Sequence, residues 1–235
     1  GGGVQSVFLR GANSGQTLVL IDGVRTTSVL GGGASWSAIP VQLIDHIEII
    51  FGPQSSLYGS DAIGGVINIF TKKGVGPTQV TASTGYGTYG TSVSQASLFG
   101  STQGDNSISY SVSATAENSA GFNTIAPNSP YKNNYNTTNT IGYTKTGGAA
   151  QLSQEWAKGQ SVGAQVYASG NNTQYPVYGP GKVLGNQFND VSTLALYSKN
   201  QITDIWNSNL QIAQSYDSGQ AIYPSQTPIT WYPAG

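Results

Sequence analysis

The chain has no cysteine and no methionine, a single histidine, and charged residues at only 8% of its 235 positions. Without cysteine there are no disulfides and no thiolate metal sites, which fits a compartment where a free thiol would be oxidised. The net charge is −1 and lysine and arginine are not clustered, so no nucleic-acid partner is expected. Because the sequence starts at Gly1 without an initiator methionine, we expect an internal piece of a longer protein.

Long hydrophobic runs are also missing. No segment approaches the roughly 18 to 20 apolar residues of a membrane-spanning helix, which excludes a helical membrane protein. From residue 78 onward, apolar and small polar residues alternate over about ten positions at a time, the period of a strand with two different faces. The alternation is clearest in residues 107–117, and it recurs in residues 80–86, 162–168 and 206–216.

The two faces of these strands predict a transmembrane β-barrel. One face is apolar, and the other is almost uncharged serine, threonine, asparagine and glutamine. Strands of about 9 to 11 tilted residues cross the hydrocarbon, and closure of a barrel satisfies every backbone group. A soluble β-sandwich is the alternative, and it would bury the apolar faces between two sheets.

The lengths of the connections favour the barrel. Short and long connections alternate, with one tight exception at residues 85–90, as they do between the periplasmic and extracellular ends of outer-membrane barrels. The short ones are residues 103–106, 158–160 and 203–204, and the long ones are residues 118–143, 170–189 and 218 onward. The 14 tyrosines suit both interfacial girdles and a binding surface.

The first 74 residues form a different kind of segment. Residues 17–21 and 44–50 are apolar runs typical of buried strands. Residues 51–70 carry so many glycines that we expect a tight corner and no helix, with Gly64 and Gly65 allowing a close backbone approach. We therefore expect a mixed α/β plug domain in residues 1–74, followed by antiparallel barrel strands in residues 75–235.

Three segments together resemble the TonB-dependent outer-membrane receptors, in particular the vitamin B12 transporter branch. Their sequences are SVFLRGAN in residues 6–13, LVLIDGVR in residues 18–25 and GPQSSLYGSDAIGGVINI in residues 52–69. The resemblance implies a 22-stranded barrel closed by an N-terminal plug. The chain offers about seven candidate strands, so we expect the C-terminal part of the plug and the first third of such a barrel.

The resemblance also implies a function, which is the energy-coupled import of a scarce ligand across the bacterial outer membrane. The expected partners are the lipid bilayer, a small-molecule ligand and the TonB complex, which would contact a segment upstream of Gly1. No bond of the ligand is made or broken, so no enzymatic activity and no cofactor are expected. Uptake of a siderophore or a carbohydrate is the alternative, and a passive porin, which would lack the plug motif, is a further one.

Alignment with the family assigns ligand contacts to the apex of the plug. The matching positions are Val4, Ser6, Asn13, Leu30 and Gly31. Asn13 has several hydrogen-bonding groups, although it is equally interpreted as a turn residue. The glycines around Gly31 suit an apex that adapts to a ligand, and they also suit a merely flexible loop.

Other positions are assigned structural roles in the plug. They are Arg10, Gly52, Pro53, Gly64 and Gly65. Arg10 is interpreted as a polar anchor between plug and barrel. Relatives usually carry an arginine just before the Gly-Pro pair, whereas this chain has Phe51, so an ionic contact at that point is not expected.

The remaining chemical motifs point to no catalytic or metal site. His46 is the only histidine, and without a second histidine or a cysteine it does not predict a closed metal site. Residues 85–90 fit the G-x-G-x-x-G spacing but precede a strand pattern, so no dinucleotide site is expected. Residues 170–189 contain several asparagines and glutamines but no aspartate or glutamate. A calcium site is therefore not expected there. The neutral loops favour a neutral corrinoid, neutral chelate or carbohydrate.

Overall fold

The computed structural model describes residues 5–26, 33–104, 106–130, 132–134, 139–177, 183–223 and 229–231. These residues form two β-sheets, one of four strands and one of eight. We call them the plug sheet and the wall sheet. No helix in these ranges is long and apolar enough to cross a membrane.

The plug sheet is built around two buried parallel strands. Its members are β1 (Thr17–Ile21), β2 (Val24–Thr26), β3 (Ile44–Phe51) and β4 (Gly65–Thr71), in the order β2-β1-β4-β3. Strand β1 runs parallel to β4, and the other pairings are antiparallel. Every residue of β1 is buried, as its unbroken apolar run predicts for a strand covered on both faces.

The connections of the plug correct one expectation. Residues 51–70 were expected to contain no helix, yet Ser55–Tyr58 forms one α-helical turn, α1. A single turn fits because Pro53 precedes it and Gly59, with φ of 87°, ends it. Two 3₁₀ turns, Trp36–Ala38 and Val41–Leu43, precede β3.

The wall sheet is an open antiparallel meander. Its strands are β5 (Gln79–Gly87), β6 (Thr91–Ser101), β7 (Ile108–Phe122), β8 (Ile141–Ala157), β9 (Gln160–Pro176), β10 (Leu184–Gln201), β11 (Asn207–Ile222) and β12 (Ile229–Trp231). Each strand pairs with its sequence neighbours. The described part of the chain has eight wall strands, whereas about seven were expected. They form an open partial sheet, which does not support the expected count of 22 strands.

Several strands are longer than the ten residues that a bilayer requires. Strand β7 runs on to Phe122 and β8 starts at Ile141, so the expected loop at 118–143 is shorter at both ends. Likewise β9 reaches Pro176 and β10 starts at Leu184, which places much of residues 170–189 in strands. Backbone pairing continues past the apolar band because polar side chains do not interrupt a hydrogen-bonded ladder.

The two ends of the wall sheet differ, and we name them for their connections. At the loop end, where β5, β7, β9 and β11 reach their C-termini, most connections are long. At the turn end, the end of β6, β8 and β10, they are short. The tight exception is the 3₁₀ turn Thr88–Gly90 between β5 and β6, which was expected from its glycines.

The wall sheet exposes its apolar face and buries its polar face, which is the reverse of a sheet in a soluble protein. Val166 is 45% exposed, whereas its neighbour Gln165 is only 8% exposed. The same contrast separates exposed Leu194 from buried Thr193, and exposed Val112 from buried Ser111. The apolar face is therefore outside and the polar face inside, as in a membrane barrel and against the sandwich alternative.

The plug sheet packs against the inner, polar face of the wall sheet. Tyr167 of β9 and Val191 of β10 are buried in the same apolar cluster as Ile21, Leu43 and other plug residues. At Gly147 of β8, a Cβ would lie 2.8 Å from Cγ of Pro40, so the glycine permits this approach. The plug thus lies within the curve of the wall.

Candidate functional site

A cavity of about 480 Å³ lies at the loop end of the wall sheet, within the usual size range of small-molecule sites. Among the described residues, its lining is aromatic, hydroxylic and amidic and includes no charged side chain. The lining residues are Tyr89, Thr91, Ser119, Gly121, Phe122, Thr124, Ile141, Tyr143, Thr173, Gln174, Tyr175, Pro176 and Gln187.

The strand period places this lining on the inner face. Tyr143, Thr173 and Gln187 occupy one row of cross-strand partners, because Tyr143 pairs with Thr173 and Thr173 pairs with Gln187. They have the same orientation as the buried inner residues further along each strand. The cavity therefore opens into the lumen side of the wall.

Aromatic contacts shape the two sides of the cavity. Tyr89 packs on Phe122 with ring centroids 5.0 Å apart, and it holds a left-handed φ of 59° in the tight turn between β5 and β6. On the other side, Tyr175 meets Tyr223 edge to face at 5.9 Å. This contact holds the Tyr175 ring on that side of the cavity.

Tyr143 is the best-anchored aromatic residue of the cavity. Its hydroxyl donates a hydrogen bond of 2.6 Å to Oε1 of Glu117, and Nζ of Lys145 lies 5.6 Å from its ring centroid. Tyr143 lies beyond the outward apolar band of β8. Burial first, and then the hydrogen bond and negative charge of Glu117, raise the pKa of Tyr143 to about 12. The hydroxyl therefore stays a donor throughout the physiological pH range.

Glu117 also connects this wall to the plug. Its other carboxylate oxygen, Oε2, accepts a hydrogen bond of 3.4 Å from Nε2 of Gln42, in the 3₁₀ turn before β3. A single carboxylate thus contacts a cavity residue and a plug residue. The oxygen of the Gln42 amide is buried without a partner in the described residues, which makes this contact sensitive to small shifts of the plug.

Asp22 connects several parts of the plug and the wall through hydrogen bonds. In the sequence it stands out only as the first residue of an Asp-Gly turn. Its carboxylate accepts hydrogen bonds from the backbone N–H of Thr71 at 3.0 Å and from the Thr71 hydroxyl at 2.6 Å. Its carbonyl oxygen accepts from Nε2 of Gln165 at 2.8 Å and of Gln211 at 3.4 Å. Asp22 therefore joins β1 to β4 and both to the wall.

Of the expected apex contacts, the two described residues, Ser6 and Asn13, do not line this cavity. Ser6 and Asn13 are exposed, while Val4, Leu30 and Gly31 lie outside the described residues. The backbone N–H of Asn13 donates to Oε1 of Gln16 at 2.9 Å, the geometry of a turn residue that starts a 3₁₀ helix. Whether Asn13 contacts a ligand stays a prediction.

Arg10 makes its described contact inside the plug. It has a left-handed φ of 48°, and its guanidinium carbon lies 5.2 Å from the ring centroid of Phe51. This is a cation–π contact with the residue that replaces the family's usual arginine.

The glycine corner packs on other residues of the plug. A Cβ at Gly64 would lie 2.5 Å from Cβ of Ala12, and one at Gly65 would lie 2.4 Å from the carbonyl oxygen of Ile50. The close approach expected of the pair is present, but its partners belong to the same domain. Gly52 has φ of 91° and open space around it, and Pro53 follows it before α1.

His46 is a surface residue of the plug. Its ring stacks on Phe70 with centroids 4.5 Å apart, and Nδ1 lies 2.7 Å from Oδ2 of Asp45. In the described ranges, no three side chains of histidine, cysteine, aspartate or glutamate come together in a way that could hold a metal ion.

A small sheet packed on the polar inner face of an apolar-out antiparallel wall is the arrangement expected of a plug in a membrane barrel. Residues 1–66 match the model of the TonB-dependent receptor plug domain. The plug part of the chain is therefore similar to the plug domain of the TonB-dependent receptors.

Known proteins agree with this assignment. The vitamin B12 transporter BtuB of Vibrio vulnificus (strain YJ016) is 50% identical over 86 residues, which are 37% of this chain and 14% of the transporter. The siderophore receptor PirA of Acinetobacter baumannii has a TM-score of 0.67 at 19% identity, over 94% of this chain and 36% of PirA. The ferric yersiniabactin uptake receptor FyuA of Yersinia pestis has a TM-score of 0.66 at 18% identity, over 92% and 34%.

The chain spans only a small part of these relatives, and the structural likenesses, both below 25% identity, show the fold alone. The fold class expected from the sequence is confirmed as a plug followed by antiparallel receptor-type strands. The identity of the ligand is not fixed by these likenesses, since they include both a vitamin B12 transporter and siderophore receptors.

Proposed function

We propose that the full-length protein imports a scarce ligand across the outer membrane in a TonB-dependent manner, with the ligand bound between the plug apex and the loop-end cavity. The observation that carries this proposal is the position of the cavity on the lumen face, beside a plug of the TonB-dependent receptor family. The TonB complex is the proposed energy-supplying partner, and the bilayer surrounds the apolar face. Import requires no chemical change in the ligand.

The preferred ligand is neutral, with a corrinoid of the cobalamin type first among the candidates. The described residues that line the cavity include no charged side chain, so they offer no compensation for an anionic ligand. Its tyrosines and phenylalanine provide apolar contact area, and its hydroxyl and amide groups provide directional hydrogen bonds. Half of the aligned plug residues are identical to those of a protein named as a vitamin B12 transporter, which supports the corrinoid over the other neutral candidates.

Binding of labelled cobalamin to the purified full-length receptor tests the ligand. We expect saturable binding, weakened at least tenfold when Tyr175→Ala removes an aromatic wall of the cavity, since such a truncation loses several kcal/mol of contact. Tyr86→Ala is the matched control, because Tyr86 is 87% exposed on the outer face of β5. No saturable binding at micromolar cobalamin would remove the corrinoid and leave the import proposal open.

A neutral metal–siderophore complex or a carbohydrate is the second candidate. The aromatic, hydroxyl and amide groups of the cavity suit either compound, because they provide stacking surface and directional hydrogen bonds. Competition of these compounds against labelled cobalamin separates the candidates. A passive porin is disfavoured by the plug, which occupies the inner face of the wall.

A further inference from the structure

A second cavity, of about 220 Å³, lies at the opposite, turn end of the wall sheet, where the plug joins the first wall strand. It is separate from the proposed ligand cavity and shares no residue with it. Its lining residues are Lys73, Gly74, Val75, Ser109, Tyr110, Gln151, Ser153, Ser161, Tyr197 and Lys199. At about 30 Å³ per water, this space holds about seven waters, or one small polyatomic ion and its hydration.

The described residues that line this cavity carry a net positive charge. Lys73 and Lys199 line it, and no acidic residue does. Neither lysine forms an ion pair within the described ranges. The acid nearest along the neighbouring strands, Glu155, accepts a hydrogen bond of 3.1 Å from the backbone of Gly159 in the turn. Two cations at one cavity are notable in a chain with only nine lysines and arginines.

Both ammonium groups are positioned by aromatic rings. Nζ of Lys73 lies 5.3 Å from the centroid of Phe70, and Nζ of Lys199 lies 5.5 Å from that of Tyr197. Such contacts orient an ammonium group without neutralising its charge. The Tyr197 hydroxyl is itself held by a hydrogen bond of 2.6 Å from Nε2 of Gln151.

The backbone beside Lys73 is fixed to the wall. A Cβ at Gly74 would lie 2.4 Å from the carbonyl oxygen of Gly100, so only glycine permits this approach. Gly76 then exchanges hydrogen bonds with Ser101, since its N–H donates to Oγ at 3.0 Å and its carbonyl accepts from the N–H at 2.7 Å. Lys73 therefore projects from a fixed joint rather than from a free loop.

Hydroxyl groups complete the donor set. Ser109 and Ser153 are cross-strand partners on β7 and β8, and Ser161 is the partner of Lys199 on β9 and β10. All of these residues belong to the inner face of the wall sheet. Two ammonium groups and several hydroxyl donors around a small wet space are the groups that bind oxyanions.

We propose that this cavity binds a small oxyanion, either a phosphate group or a carboxylate, at the turn end of the lumen. Lys73 and Lys199 hold the charge, and the serine hydroxyls of the wall donate to the remaining oxygens. The site is independent of the imported ligand, because it requires only the plug–wall joint and the inner face of β7 to β10. The joint and the wall are thereby bridged by one anion.

Titration calorimetry on the purified full-length receptor, in a phosphate-free chloride buffer, tests this site with inorganic phosphate and with acetate as separate probes. We expect saturable binding of at least one probe, weakened about tenfold or more by Lys73→Gln and by Lys199→Gln, because each removes a charge-assisted hydrogen bond. Tighter phosphate binding identifies a phosphate site, and tighter acetate binding identifies a carboxylate site.

Lys158→Gln is the matched control. Lys158 lies in the turn between β8 and β9, at the same end of the sheet but outside the cavity, and its loss changes the net charge equally. Lys73→Arg and Lys199→Arg retain the charge and should retain binding, which separates charge from folding. Absence of saturable binding of both probes, or an equal loss with Lys158→Gln, would overturn the proposal.

Discussion

The hydroxyl of Tyr143 donates a 2.6 Å hydrogen bond to Glu117, and that carboxylate contacts Gln42 of the plug on its other side. This arrangement couples the wall of the ligand cavity to the plug through a single side chain. Since the carboxylate lies partly buried, removal of either neutral partner leaves charged oxygens without compensation. The stability of the plug against the wall and the shape of the cavity are therefore expected to depend on each other.

Tyr143→Phe tests this coupling. The variant loses a hydrogen bond to a charged group, so we expect the full-length receptor to be destabilised by about 1–3 kcal/mol. Thermal unfolding of the detergent-solubilised protein measures the change. Tyr86→Phe removes a hydroxyl from an exposed outer-face position and should change stability little.

A double-mutant cycle tests the coupling itself: the effects of Gln42→Ala and Tyr143→Phe on the free energy of unfolding should be non-additive. Strict additivity would contradict the coupling.

The contribution of Tyr143 to the free energy of unfolding changes with pH in one defined direction. Its folded-state pKa, about 12, lies above the ordinary value of 10.0, so its contribution to stability is fully present below about pH 10 and is lost as the pH rises towards 12. The difference in stability between the unmodified receptor and Tyr143→Phe should consequently be constant from pH 6 to pH 9. A difference that varies across that range would contradict the assigned donor role.

Asp22→Asn tests the joint within the plug. The amide cannot accept both Thr71 hydrogen bonds as a carboxylate does, and we expect a loss of about 1–3 kcal/mol. Limited proteolysis of the plug and thermal unfolding report the effect. Asp204→Asn, in the exposed turn after β10, makes the same chemical change without these partners. Equal protease sensitivity of the two variants would show that Asp22 does not hold the plug.

Gly65→Ala tests the close packing of the glycine corner. Its Cβ would meet the carbonyl oxygen of Ile50 at 2.4 Å, and the backbone holds φ of 150°, so we expect destabilisation of about 1–3 kcal/mol or more. Gly85→Ala serves as the control, since a Cβ there meets open space. If Gly65→Ala unfolds at the same temperature as the control, the corner is not tightly packed.

Leu194→Arg tests the assignment of the outer face. Leu194 is 53% exposed at mid-strand in β10, and arginine at the bilayer midplane costs about 2–4 kcal/mol in such barrels. We expect reduced folding yield in lipid vesicles. Ile205→Arg introduces the same charge in the turn after β10, where the side chain is 96% exposed, and it should fold normally. Normal folding of both variants would contradict a lipid-facing position for Leu194.

The alternation of residues such as Val166 and Gln165 was sufficient to predict the wall strands, because a pleated strand puts neighbouring residues on opposite faces. The glycine motif was sufficient to predict the plug. The loop-end cavity could not be predicted, since Tyr89 lies in a turn, Phe122 and Tyr175 lie at the ends of β7 and β9, and the register of the strands brings them together. Tyrosines were expected to line a binding surface, but their particular grouping depends on that register.

The role of Asp22 was missed for a different reason. Its contacts with Gln165 and Gln211 use a backbone carbonyl, which carries no sequence signal. Its carboxylate contacts Thr71, 49 residues away, and no local pattern indicates such a pair. An aspartate before glycine at the end of an apolar run was the only available indication.

Energised uptake tests the central claim most directly. Cells that express the full-length receptor should accumulate labelled cobalamin, and the rate should fall to that of cells without the receptor when a protonophore collapses the proton-motive force or when TonB is absent. Surface binding should persist under both conditions. Uptake that continues unchanged without the proton-motive force would contradict TonB-dependent import and would indicate a passive pore.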